Sequence, residues 1–67
     1  MNKEEYNTEL RERLKKFREN NFNPSLTTIA KLINMNGNQL RDWNRGLINS
    51  KKETLARLDK FLKKYEE

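Results

Sequence analysis

The sequence predicts an all-α domain of four helices, and three observations carry that prediction. Apolar residues recur at steps of three and four in successive segments, a spacing that gathers them on one helical face and would scatter them across a strand. Asparagine, proline, serine and glycine break this pattern at three places, where turns and caps are needed. The chain has 67 residues, which makes residues 1–67 a single domain with no room for a second. So short a chain buries only roughly 60% of the surface its unfolded form exposes, so its core is small. A hydrophobic content of 33% is lean but adequate for a helical bundle of this size.

The first helix is expected from Lys3 to about Asn20. Tyr6, Leu10, Leu14 and Phe17 follow one another at steps of four, four and three and share one face. Elsewhere on this helix, Glu9–Arg13 and Glu12–Lys16 place an acid four residues before a base, an arrangement that supports a helix by about 0.2–0.5 kcal/mol per pair. Asn20-Asn21-Phe22-Asn23-Pro24 ends it, because asparagine favours turns and proline disfavours helix in the residue before it.

Ser25 is placed to cap a second, short helix reaching about Ile33, with Leu26, Ile29, Ala30 and Ile33 apolar. Asn34-Met35-Asn36-Gly37 interrupts it, and Asn34 belongs to the few non-glycine residues that tolerate the left-handed backbone of a sharp turn. A third helix runs to about Arg45, capped by Asn36, with Leu40 and Trp43 as its buried side and Gly46 as its stop. Ser50 and Glu53 have the spacing of a capping box, which opens a fourth helix bearing Leu55, Leu58, Phe61, Leu62 and Tyr65. Tyr6, Phe17, Ile29, Ile33, Leu40, Trp43, Leu55, Leu58 and Phe61 are the core candidates. Tyr6 and Tyr65 are expected to pack their rings and keep their hydroxyls wet.

Composition removes several classes of function. The chain has no cysteine and no histidine, so disulfides, thiolate metal sites and the side chain best poised for proton transfer near neutral pH are all missing. With only Gly37 and Gly46, no phosphate-binding glycine loop can be assembled. The carboxylates are interleaved with bases and converge on no pocket, so no enzyme and no cofactor is expected. No apolar run reaches the roughly 18 residues of a membrane span, and Met-Asn-Lys-Glu-Glu lacks the apolar core of a signal peptide. The expected location is the cytoplasm.

Net charge is +5, and the surplus is concentrated. Residues 1–19 carry six basic and five acidic side chains, and residues 53–67 carry four of each. Residues 20–52 carry Lys31, Arg41, Arg45, Lys51 and Lys52 against Asp42 alone. A positive field focused in this way attracts polyanions such as nucleic acid.

Two short helices joined by three or four turn residues have the spacing of a helix-turn-helix, centred on residues 27–46. For the second of these to read bases, one side must be apolar for docking and the other free. Leu40 and Trp43 form the docking side, which leaves Asn38, Gln39, Arg41, Asp42 and Arg45 to point wholly or partly outward. Asparagine and glutamine can bond adenine through a paired donor and acceptor, and arginine can fork onto guanine. Asp42 either accepts from cytosine or orients a neighbouring arginine, and the second role is favoured. Gly37 at the first turn lets the backbone approach a duplex closely.

The run Ile29-Ala30-x-x-Ile33-Asn34-Met35-Asn36-x-x-x-Leu40-x-x-Trp43-x-Arg45-Gly46 resembles the phage-repressor helix-turn-helix family (Cro-type, or XRE). Members of that family tend to read Leu-Ala-x-x-Leu-Gly-Val-Ser-x-x-x-Ile-Ser-x-Trp-Glu-x-Gly without gaps. Lys51-Lys52-Glu53-Thr54-Leu55 is similar to the family's start of the fourth helix, so the likeness covers about residues 17–62. It implies a lambda-repressor-like fold and binding to double-stranded DNA in the major groove, as in transcriptional repressors of phage, plasmid or mobile-element type. By position, it implies base contacts from Gly37, Asn38, Arg41 and Asp42, with Asn36 capping that helix and touching a phosphate. Ser25 and Thr27 would bind phosphate, and Arg45, Lys51 and Lys52 would flank the groove.

Three departures stand out. Asn44 replaces the family's usual glutamate, so an ion pair with Arg18 cannot form. The connection from Arg18 to Ala30 is one residue longer than is typical. The sequence holds no counterpart of the fifth helix that often carries the dimer interface, which bears on a homodimer more than on the fold. The other function open to such a scaffold is a protein-interaction module, an antirepressor or anti-defence inhibitor whose basic face meets an acidic protein partner.

Overall fold

The computed structural model describes residues 2–66, and the first three of its helices begin or end on a local device written in the sequence. Helix α1 spans Lys3–Asn20. The Asn2 side chain accepts from Glu5 N at 2.8 Å, and its amide donates to the Glu5 carboxylate at 3.0 Å. Glu4 and Glu5 in the first turn complement the positive end of the helix dipole. At the other end, Phe22 and Asn23 both take left-handed backbone, with φ of 64° and 54°.

Helix α2, Leu26–Leu32, starts at Ser25, whose hydroxyl accepts from Thr28 N at 3.2 Å. It stops where Asn34 turns left-handed, at φ 56°. Met35 N then donates to Ala30 O and Asn34 N to Lys31 O, the paired closing bonds that satisfy the last carbonyls of a helix. Helix α3, Gly37–Asn44, is capped by the Asn36 side chain, which accepts from both Asn38 N and Gln39 N. Gly46, at φ 81°, ends it with the same closing pattern, Leu47 N to Asp42 O and Gly46 N to Trp43 O. Helix α4 spans Lys52–Lys63.

The fourth helix does not open as the sequence predicted. Its N-cap is Lys51, one residue later than expected, and no side chain caps it. Ser50 and Glu53 therefore form no capping box. Ser50 is buried, its N–H is taken by the side chain of Asn7 at 3.1 Å, and its hydroxyl has no partner among the described residues.

Helix α2 packs on α3 and α1 packs on α4. The four helices enclose one core of Leu10, Leu14, Ile29, Ala30, Ile33, Leu40, Trp43, Leu55, Leu58, Phe61 and Leu62. Tyr6 and Phe17, expected inside, are only half-buried against it. Phe17 meets Phe61 edge-on at 5.2 Å between centroids, and the more exposed Tyr65 leans on both rings. The i,i+4 pairs expected on α1 are also absent among the described residues. Arg13 instead reaches α4 and the segment beyond it, at 2.6 Å from Asp59 and 2.7 Å from Glu66. A tertiary partner with two carboxylates outcompetes a helical neighbour worth a few tenths of a kcal/mol. Among the described residues there is no strand, and no helix is long and apolar enough to cross a membrane.

Candidate nucleic-acid interface

The candidate site is built on α3, whose two inward residues, Leu40 and Trp43, are completely buried. Trp43 is locked by more than packing. Its indole N–H donates to the buried Asn7 side chain at 2.6 Å, and the Arg11 guanidinium lies 5.1 Å from the ring centre. The Arg11 Nε donates to Trp43 O at 2.6 Å, and its Nη2 donates to Ile48 O and Asn49 Oδ1 at 2.8 and 3.0 Å. One guanidinium thus satisfies a carbonyl in the last turn of α3, complements the negative end of its dipole and fastens the loop that follows. The C-terminal half of α3 is fixed to α1 in three ways.

The outward edge of α3 is left open. Asn38, Gln39 and Arg41 are exposed, as is Arg45 at the C-cap, while Asp42 and Gly37 are half-buried. Arg41 meets only Asn38 Oδ1, at a long 3.5 Å. Asp42 forms no ion pair among the described residues, so the role expected of it, holding an arginine in place, falls instead to the weaker acceptor Asn38. Neither Arg41 nor Arg45 has an acidic partner among the described residues, whereas Arg11, Arg13 and Arg18 are all committed internally. The fold therefore sorts its arginines into those that hold the structure and those that face solvent with their donors uncommitted.

The start of α2 lies beside the start of α3. A methyl group placed on Gly37 would sit 3.8 Å from Thr27 Oγ1, an ordinary contact distance. Ser25 and Thr27 are exposed at the start of α2, and Asn36 caps the start of α3 beside Gly37. Ser25, Thr27, Asn36, Gly37, Asn38 and Gln39 thus belong to the adjoining starts of α2 and α3, and Arg41 lies one turn further along α3. Lys51 and Lys52 are exposed too, but they border a separate cleft of about 450 Å³ with Lys3, Tyr6 and Leu55.

Family models, curated proteins and solved structures contain no match to this chain.

Sequence reasoning did not single out Asn7, Arg11 or Thr28. Asn7 and Arg11 recur at a step of four beside the Leu10–Leu14 stripe, so their position at the edge of an apolar face was the available signal. Thr28 shares a hydroxyl–hydroxyl contact of 2.9 Å with Ser25 and stands at the same exposed end. Arg18, with no glutamate to meet at position 44, donates to Pro24 O at 2.9 Å and braces the loop before α2. Among the described residues, no cluster of side chains is arranged to hold a metal ion.

Proposed function

We propose that this domain binds double-stranded DNA sequence-specifically, with α2 and α3 acting as a helix-turn-helix and α3 entering the major groove. One observation supports this most strongly: α3 is anchored through Leu40 and Trp43 and clamped at its C-terminal end, while Asn38, Gln39 and Arg41 face solvent with nearly all their donors and acceptors uncommitted. Such a helix is a rigid rod with an amide- and arginine-bearing edge, the chemistry that distinguishes base pairs in the major groove.

On this reading Arg41 and Arg45 displace counterions from the backbone as they approach, and Lys51 and Lys52 add to the field. Hydroxyls at the start of α2, those of Ser25 and Thr27, meet phosphate oxygens and fix register without reading sequence. The edge of α3 then reads about four or five base pairs. So small a footprint gives useful specificity only when two copies, or a larger parent protein, bind together. The biological role that fits is transcriptional repression or regulation in a phage, plasmid or mobile element, in line with the sequence resemblance.

The test is selection of duplexes from a random pool at two salt concentrations, repeated with Arg41→Ala and Lys51→Ala. Arg41→Ala should relax base preference at one position, costing about 1–3 kcal/mol of discrimination there. Lys51→Ala should weaken all sequences about equally and lower the salt slope by about one. Equal losses on every sequence for both variants would show that α3 is not the reading element. No binding at low salt would leave the protein-interaction role in its place.

A further inference from the structure

Phe22 is displayed in a way the connection between α1 and α2 does not require. Its side chain is fully exposed, at 102% of its reference area, and it makes no aromatic contact among the described residues. Tyr65, the next most exposed aromatic, still rests on Phe17 and Phe61. Phe22 also holds left-handed backbone at φ 64°, an outlier for a bulky residue, and Asn23 follows it at φ 54°. Strain of this kind persists only where the surroundings over-determine it. Here they do, because Asn21 N and Asn23 N both donate to Arg18 O, at 3.2 and 2.7 Å. In addition, Asn21 Nδ2 donates to Phe17 O and Arg18 Nε to Pro24 O. A braced loop thus holds a strained backbone that presents an apolar ring to water.

The loop also has a definite place. Phe22 precedes the α2 cap Ser25 by three residues, so the two lie within about 10 Å of each other even at full extension. Ser25 belongs to the end of the α2–α3 pair where Thr27 meets Gly37. When that end abuts a DNA strand, the strand separates the major groove, filled by α3, from the minor groove beyond it. An apolar ring finds a duplex partner there, against deoxyribose edges or wedged at a base step.

We infer that Phe22 is a second DNA-contacting element, one that crosses the strand bound by the start of α2 and packs into the adjoining minor groove. This rests on the DNA-binding reading above and adds to it a contact outside the reading helix.

The experiment pairs Phe22→Ala with a change of flanking base pairs from inosine–cytosine to guanine–cytosine around a selected site. That change adds only an amino group on the minor-groove side. Phe22→Ala should weaken binding to the inosine-flanked duplex about tenfold, as expected for an apolar contact of part of a ring. Its salt slope should equal that of the wild type, because no charge is removed, and its melting temperature should be unchanged or higher. The wild type should lose affinity when the amino group is introduced, and the variant should not. Equal affinity of variant and wild type for both duplexes overturns the inference while leaving the DNA-binding reading intact, and leaves the ring to a protein socket. A lowered melting temperature with equal losses on both duplexes also overturns it, because Phe22 is then a structural residue. A wild type that binds no duplex overturns the DNA-binding reading itself and takes this contact with it.

Discussion

Replacing Asn7 with alanine should cost this domain about a third of its stability or more, although no surface residue changes. The Asn7 side chain is completely buried and makes three bonds: its amide donates to Lys3 O at 2.8 Å, and its oxygen accepts from Trp43 Nε1 and Ser50 N. Truncation leaves two buried donors, one on the indole and one on the backbone, without a partner. At about 1.5 kcal/mol for each such orphan, in the lower half of the usual range, the pair costs about 3 kcal/mol in total. A domain of this size holds only about 3–10 kcal/mol of stability. The melting temperature should therefore fall by roughly 12–24 °C, at about 4–8 °C per kcal/mol.

Urea unfolding followed by the single tryptophan measures the loss directly, and a slope of about 1 kcal/mol/M turns it into a midpoint shift of about 3 M. Trp43→Phe removes the indole donor, so a double-mutant cycle with Asn7→Ala, read by circular dichroism, isolates the pair. The cycle should return a coupling of about 1–2 kcal/mol. A loss below about 1 kcal/mol for Asn7→Ala, with no coupling, would refute the claim that Asn7 holds α3 and its following loop to α1.

Further outcomes follow from the same contacts. Ser50→Ala should leave stability unchanged or raise it slightly in thermal melts, because the hydroxyl it removes is buried without a partner. A loss of about 1 kcal/mol would instead restore the capping role that its spacing to Glu53 predicts. Gly37→Ala should melt at or above the wild-type temperature, since the new methyl meets Thr27 at ordinary contact distance. Its binding to selected DNA should nonetheless fall if the backbone approaches the duplex there; equal binding would end that role for Gly37. Acid should unfold the wild type through the α1–α4 network. Burial acts to raise the Asp59 carboxyl, yet hydrogen bonds and charge from Arg13 and Lys63 outweigh it and hold the group below its usual range. A hydrogen bond from Arg13 lowers Glu66 as well. Carboxylates depressed by folding contribute stability that is complete above their unfolded values and lost as pH falls through the folded ones. Melting temperature should therefore drop less steeply between about pH 7 and about pH 2 in Arg13→Gln than in the wild type, and parallel curves would show the network to be inert.

Much of the fold was legible because helix ends are local chemistry. Ser25, Asn34, Asn36 and Gly46 each act within four residues of themselves, and all four do in the structure what their types predict. The inward positions of α3 were legible for the same reason, since Leu40 and Trp43 share a face by spacing alone. What failed was whatever needed a partner far along the chain. Arg13 was assigned to Glu9, four residues away, but bonds Asp59 and Glu66, 46 and 53 residues away. Ser50 was assigned to Glu53, but its N–H is claimed by Asn7, 43 residues away, and the helix starts one residue later as a result. Local rules rank the options available to a residue, and tertiary geometry then overrides any local option worth less than about 1 kcal/mol. The candidate site divides along the same line. The exposed edge formed by Ser25, Thr27, Asn36, Asn38, Gln39 and Arg41 follows from helix periodicity, whereas the cleft bordered by Lys51 and Lys52 depends on how α4 meets α1.

The clamping of α3 at one end has a consequence for how its surface can vary. Asn7 and Arg11 both act on Trp43 and the loop after it, so the restraint on the helix is independent of which residues occupy its open edge. Among the described residues the side chains of Asn38, Gln39 and Arg41 share no hydrogen-bond partner with the core, and the only such bond among them is the 3.5 Å approach of Arg41 to Asn38. Substitutions at these positions should therefore change stability by no more than about 0.5 kcal/mol each and add independently. Chemical denaturation of Asn38→Ser, Gln39→Ala and their combination measures this. A strongly non-additive or large loss would mean that the open edge supports the fold, and that it could not be exchanged without rebuilding the helix beneath it.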